Sequence, residues 1–329
     1  MPVNSNLAYF SDLSYRTAFV IYVIGLVIAL VYYIRRSSQV AAETTGVRER
    51  ELVGVSGSGA VPGDPAETVG DRKTSARAVD KLGGMLQSML WLGLILQGAS
   101  IVLRGMSAGR FPWGNLYEYI SLVTFLTMAI AALVIQRKDL RAMWPWLLVP
   151  VLILMFYGGT KLHVASAPVV PALRSFWLPI HVSIVSFGAG ICMLSGVASM
   201  LYLFRRAQPR GEERGKIGEI LRPLPGADTL DRIAYRSAAW AVPVFGLGVI
   251  LGALWAESAW GRFWGWDPKE TMSFVTWILY AAYLHARSTP SWRKAAPWIN
   301  IAGLAAMVFN LFFINLVTAG LHSYAGLPN

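Results

Sequence analysis

Most of the side chains in this sequence that could do chemistry belong to four histidines and one aromatic stretch. The stretch runs from Trp255 to Glu270 and reads WAESAWGRFWGWDPKE. Trp255, Trp260, Phe263, Trp264 and Trp266 offer broad apolar faces, while Gly261 and Gly265 remove side chains so that a planar ligand can approach the backbone. Such a surface suits a large flat ring. Tryptophans also gather at membrane interfaces, which would account for one or two of these rings but not for the whole set. The histidines are His163, His181, His285 and His322; imidazole serves both as an acid–base group and as a metal ligand.

The end of the stretch carries a second signal. Asp267, Pro268 and Glu270 fall at the N-cap, N1 and N3 positions of a following helix, which is a capping box with proline at N1. Asp267 is therefore read first as a cap and second as a reacting group. Arg262 has three readings: a cation for an acidic group on the ligand, an interfacial anchor, or a partner of Glu257.

These residues must be positioned by membrane helices. The chain is 55% hydrophobic and 14% charged, with a mean hydropathy of +0.49, which marks an all-α polytopic membrane protein. A net charge of +11 might suggest a nucleic-acid partner. The distribution of lysine and arginine reads instead as topology signal, so no nucleic acid is expected and the bilayer is the chain's surroundings. One cysteine, Cys192, lies in an apolar run as a small buried residue, so any thiol chemistry must come from a partner.

Apolar runs predict eight spans at about 17–34, 86–103, 116–136, 142–158, 177–204, 236–256, 270–286 and 296–319. Residues 1–36 read as an N-terminal transmembrane helix that is retained, because Arg35 and Arg36 follow the apolar run instead of preceding it. Residues 37–84, rich in Gly, Ser and Ala, read as a flexible cytoplasmic linker. Residues 85–329 form the membrane domain, with an external loop at 255–270. Assigning 35–85, 137–141, 205–236 and 287–294 to the cytoplasm collects 22 lysines and arginines against 7 elsewhere, with both termini outside.

That topology places the aromatic loop, His181 and His322 on the same outer side of a plasma membrane. His181 follows Pro179 at the start of the fifth span, and His322 lies in GLHSY beyond the eighth. His285 falls about 22 Å down the seventh span from Glu270, on a stripe with Phe274, Ile278 and Ala281. It is read either as a functional intramembrane group or as a side chain snorkelling to the cytoplasmic surface. His163, in GGTKLHVASAP, is expected to be an ordinary solvated loop residue.

Two imidazoles beside a tryptophan floor suit haem, whose ring needs a flat apolar contact and whose iron takes axial nitrogen ligands. WGRFWGWDPKE is similar to the WWD signature of haem-handling membrane proteins, in the form found in CcsA/ResC-type subunits of System II cytochrome c synthases. FPWGNLYEY (111–119), PALRSFWLPIHV (171–182), the HAR at His285 and the terminal GLHSYAG resemble stretches of that family in the same order. The resemblance covers the second to eighth spans. It implies that His181 and His322 are the external axial ligands of the haem iron and the catalytic pair, flanking haem contacts from Trp255, Trp260, Trp264, Trp266, Asp267 and Arg262. It also implies that His285 is a transit site for haem moving outward, and that a ResB-type membrane subunit, or a fused partner domain of that kind, supplies a second intramembrane histidine.

The function so implied is cytochrome c biogenesis. Haem b, as a substrate held through its iron, is carried across the membrane and presented outside, where the CxxCH cysteines of apocytochrome c add to its vinyl groups as thioethers. Positioning is the main contribution expected of the chain, and no general acid or base stands out. Three other readings remain open: a haem exporter without ligation activity, a transporter of an unrelated solute, and an assembly subunit with no use for its histidines. No half-to-half repeat and few intramembrane acids argue against the transporter, and the aromatic loop argues against the assembly subunit.

Overall fold

The computed structural model describes residues 3–55, 69–168 and 173–322, with side chains described outside 44–73. Nine α-helices and no strands occur among the described residues. In chain order they are α1 (Ser5–Val55), α2 (Val69–Ala108), α3 (Leu116–Val134), α4 (Trp144–Lys161), α5 (Trp177–Ala207), the short α6 (Gly215–Leu221), α7 (Ala227–Trp260), α8 (Pro268–Ser288) and α9 (Ala296–Phe309). A π-helical turn, Asn310–Ile314, prolongs α9.

All eight expected spans coincide with helices. Seven of these are long and apolar enough to cross a membrane, and α8 is the exception. It has the length, but Lys269, Glu270, Thr271, Ser273, Thr276, His285 and Arg287 dilute its apolar character. The stretch 37–84 departs from the expected linker, because α1 continues to Val55 and α2 begins at Val69. Residues 56–68 lie outside the described residues. The expected loop at 255–270 is also shorter, since α7 runs through Trp260 and stops at Gly261, whose φ of 70° is the left-handed C-cap that glycine adopts without strain.

Helices in a bilayer gain little from mutual hydrophobicity, so close packing at small residues and interhelical hydrogen bonds hold them together. The α5–α7 pair is the most extensive contact in the bundle. Gly188 on α5 permits it, since an added Cβ would meet the Phe245 Cα at 2.8 Å, and Gly248 on α7 does the same against the Val185 Cα at 2.8 Å. Helix α8 is tied in by polar atoms of aromatic side chains: Trp277 Nε1 donates to the Val242 carbonyl at 2.9 Å, and Tyr280 OH donates to that of Cys192 at 2.9 Å. In α1–α3, Tyr22 OH donates to Gln97 Oε1, whose Nε2 donates to Ser121 O and Thr124 Oγ1. Cys192 is buried, as expected.

Candidate functional site

A cleft opens at the end of the bundle where α5 begins and α7 ends, and runs inward between α3, α5, α7, α8 and α9. His181, Trp255, Trp264 and His322 line its mouth, and Val185, Phe245, Met193 and Met307 line its depth. The sequence brings these groups together through three local devices.

The first holds His181. The ring sits one turn into α5, and its Nδ1 donates to the Gly248 carbonyl at 2.8 Å, which leaves Nε2 as the unprotonated nitrogen. An added Cβ at Gly252 would stand 2.7 Å from the imidazole Cε1, so glycine there makes room for the ring. Gly248 and Gly252 are one helical turn apart, a small-xxx-small spacing visible in the sequence. The ring lies parallel to Trp255, with centroids 6.0 Å apart and planes at 7°.

The second device holds His322. Asp267 caps α8 as expected, accepting from the Lys269 amide at 3.2 Å while Glu270 accepts from the Asp267 amide. The same carboxylate also reaches the distant chain terminus: Oδ1 accepts from the Leu321 amide at 2.7 Å, and Oδ2 lies 2.7 Å from His322 Nδ1. Burial alone would raise the Asp267 pKa. The His322 hydrogen bond and charge, with the Leu321 and Lys269 amides, more than offset it and hold the carboxyl below its ordinary value. For His322, burial lowers the imidazole pKa, the Asp267 bond works the other way, and the result stays below the ordinary value. In its neutral form the ring donates from Nδ1 to Asp267 and carries its lone pair on Nε2, the form that can ligate a metal. Asp267 thus caps α8 and holds the Leu321–His322 turn at once.

The third device is the floor. Trp255 is 2% exposed and lies against both imidazoles, with its centroid 5.5 Å from that of His322. His181 and His322 therefore lie on one indole, their centres no farther apart than the sum of the two ring distances. Trp260 packs edge-on to Trp255 at 4.7 Å and to His322 at 4.9 Å. The remaining pair is separate. Trp264 lines the cleft and meets Trp266 edge-on at 5.7 Å, while Trp266 is 68% exposed.

Several expectations are corrected here. Arg262 pairs with Glu270 at 3.3 Å, not with Glu257, and lies over Trp260. Gly265 is small because the Arg262 guanidinium fills the space its Cβ would take, and Gly261 is a helix cap, so neither glycine is explained by a planar ligand approaching the backbone. His163 is an exposed loop residue, as expected, with two contacts the sequence did not suggest: its Nε2 lies 3.1 Å from Asp12 Oδ1, and its ring packs edge-on against Tyr117. His285 is exposed near the far end of α8, outside the cleft, on the outward side that also bears the exposed Ile278.

One supporting cluster had no single-residue signature. Glu118 in α3 is buried and bonded to Arg104 at 3.0 Å, to Arg110 at 2.8 Å and to the Gly114 amide at 2.7 Å. It pins the segment before α3, from which Trp113 Nε1 donates to the Pro179 carbonyl, two residues before His181. The FPWGNLYEY motif thus braces the start of α5.

Residues 113–322 match the family model described as cytochrome C assembly protein. The cytochrome c biogenesis protein CcsA of Guillardia theta is 33% identical over 245 residues, covering 68% of this chain and 80% of that protein. Its counterpart in Prochlorococcus marinus (strain MIT 9303) is 34% identical over 254 residues, covering 69% and 79%. Among solved structures, cytochrome c heme lyase CcmF aligns with a TM-score of 0.56 and 16% identity, over 95% of this chain and 47% of that one. The chain spans about half of CcmF's length, and the likeness is one of fold. The match over most of the membrane domain and the identity to CcsA proteins place this chain in the cytochrome c assembly family, as a CcsA-type member.

Proposed function

We propose that this chain is the haem-presenting subunit of a membrane cytochrome c synthase, with His181 and His322 as the axial ligands of the haem iron. Cytochrome c biogenesis is the role that its relatives' names carry. The observation that carries the finer reading is the shared indole: two imidazoles, each donating from Nδ1 and each with an unprotonated Nε2, lie on Trp255 at the mouth of an apolar cleft. Among the described residues no three of His, Cys, Asp and Glu gather as a metal-ion cage. Two nitrogens suit a metal that brings its own equatorial ligands, which is what a porphyrin supplies.

In this reading the chain's residues position haem more than they react. Asp267 and Gly248 fix the two ring tautomers, Trp255 and Trp264 give the macrocycle its apolar contact, and the cleft limits water. A CxxCH segment of apocytochrome c docks from the open side. Each cysteine thiol adds across a vinyl group, its sulfur bonding one carbon and its hydrogen ending on the other, with no net electron transfer. Thiols must come from outside, because Cys192 is buried. The cleft faces the outer side of the plasma membrane, both termini lie on that side, and a ResB-type subunit completes the complex. His285, on the outward side of α8, is the transit ligand that such a subunit would meet.

The test is a visible spectrum of the purified protein, alone and with a ResB-type partner. Wild type carries a haem band, and His181→Ala and His322→Ala each weaken it. Full haem occupancy in both variants would sink the ligand assignment. Formation of covalent cytochrome c by the chain with its partner separates a synthase from a haem exporter.

A further inference from the structure

The cleft holds one ammonium whose partners are neutral. Lys269 is the second residue of α8 and lines the cleft. Its Nζ donates to Asn315 Oδ1 at 2.5 Å and stands 5.8 Å from the Tyr119 ring centre. Among the described residues no carboxylate oxygen lies within 4.0 Å of that nitrogen; the adjacent acid, Glu270, is taken up by Arg262 and by the Gly265 and Asp267 amides. An amide oxygen and an aromatic face return only part of what an ammonium loses on leaving water. The same wall carries Asn310, whose Oδ1 is buried without a partner, at the start of the π-helical turn. Such turns are frequent at functional sites.

We propose that Lys269 binds a carboxylate of the ligand in this cleft, which on the haem reading above, where this inference rests, is a porphyrin propionate. The apolar remainder of the cleft, including Leu178, Val185, Phe245 and Val249, leaves a diacid with one cationic anchor on the wall. The consequence is orientational. Two axial bonds fix the iron but leave the ring free to turn about the axis joining them. A charged hydrogen bond to one edge stops that rotation. In haem b the propionates share an edge and the vinyl groups lie away from it, so an anchored propionate edge directs the vinyls to the side where thiols arrive. Lys269 is then a positioning residue for thioether formation.

The experiment measures uptake of haem and of haem dimethyl ester by the full chain in one detergent, for wild type, Lys269→Met and Lys269→Arg. Wild type favours the diacid over the ester by about tenfold, the size of one charge-assisted hydrogen bond. Lys269→Met brings the ratio close to one by weakening the diacid alone, and Lys269→Arg keeps most of the preference. Equal loss of both porphyrins in Lys269→Met would assign the lysine to bracing Asn315 and overturn the inference, as would an unchanged ratio or a wild type with no preference. A wild type that takes up neither porphyrin overturns the haem reading and this one with it.

Discussion

Asp267 and His322 lie 55 positions apart and meet through a 2.7 Å hydrogen bond, made by a carboxylate that is at the same time the N-cap of α8. The helix start and the presentation of the imidazole are therefore one structure. Asp267→Asn retains part of the cap but no longer offers a charged acceptor on each side, whereas Asp267→Ala removes both functions and costs about 1 kcal/mol through the cap alone. Haem occupancy is expected to fall in both variants and thermal stability mainly in the alanine variant. Full occupancy in Asp267→Ala would show that the carboxylate does not orient the ligand.

The same pair sets a pH response. An imidazole that is neutral in the folded site and charged in the open chain contributes fully above its ordinary value of about 6.5, and that contribution is lost as the pH falls through the lowered one. The Asp267 carboxyl, held below its ordinary range, keeps its charge until more acidic conditions. Acidification from about 6.5 is thus expected to release the Leu321–His322 turn first. Tryptophan fluorescence, dominated locally by Trp255 and Trp260, should report a transition there that disappears in His322→Ala.

Gly252 offers a test of His181 that leaves the imidazole in place. An added methyl would stand 2.7 Å from Cε1 and 2.9 Å from Nδ1, against a ring held by Gly248 and by the stack on Trp255. Gly252→Ala is expected to weaken the haem band several-fold while the helices remain formed. Gly226→Ala is the control, since nothing lies within 4 Å of the added atom. Equal bands in the two variants would show that the ring tolerates displacement.

The Glu118 cluster predicts a loss of stability larger than any surface substitution would give. Glu118→Ala removes the buried carboxylate shared by Arg104 and Arg110, whose side chains are 3% and 14% exposed, and leaves them only carbonyl oxygens and, for Arg104, Asp12 at 3.8 Å; breaking a buried pair in this way costs about 3–5 kcal/mol. A lowered midpoint in detergent thermal unfolding is the expected result, accompanied by weaker haem binding because the brace on Pro179 loosens. An unchanged midpoint would assign the arginines to solvent.

His285 should divide two measurements. Its exposed position outside the cleft predicts that His285→Ala leaves the uptake of haem added in detergent unaltered, but lowers the haem delivered to the cleft in membranes that contain a ResB-type partner. Equal delivery in the variant and wild type would make the histidine a surface residue.

Sequence alone determined the helical membrane class, the bounds of most spans and the cap at Asp267, because each follows from local rules: runs of apolar residues, and side chains that satisfy amides three positions away. It also singled out His181, His322, Trp255 and Trp260, which do converge. Only the tertiary structure decided which of the rings belong together. Trp264 lines the cleft but packs on Trp266 and not on the histidines, while Trp266 is exposed, and Arg262 pairs with a residue eight positions ahead of it, across the loop. Likewise, α1 and α2 extend beyond their apolar cores into a stretch whose composition suggests a linker. The glycines that shape the site, Gly248 and Gly252, act through a neighbouring helix, and Asp267 acts through a segment more than fifty residues away. Contacts of that kind depend on how helices pack face to face, which the order of residues within any one helix does not specify.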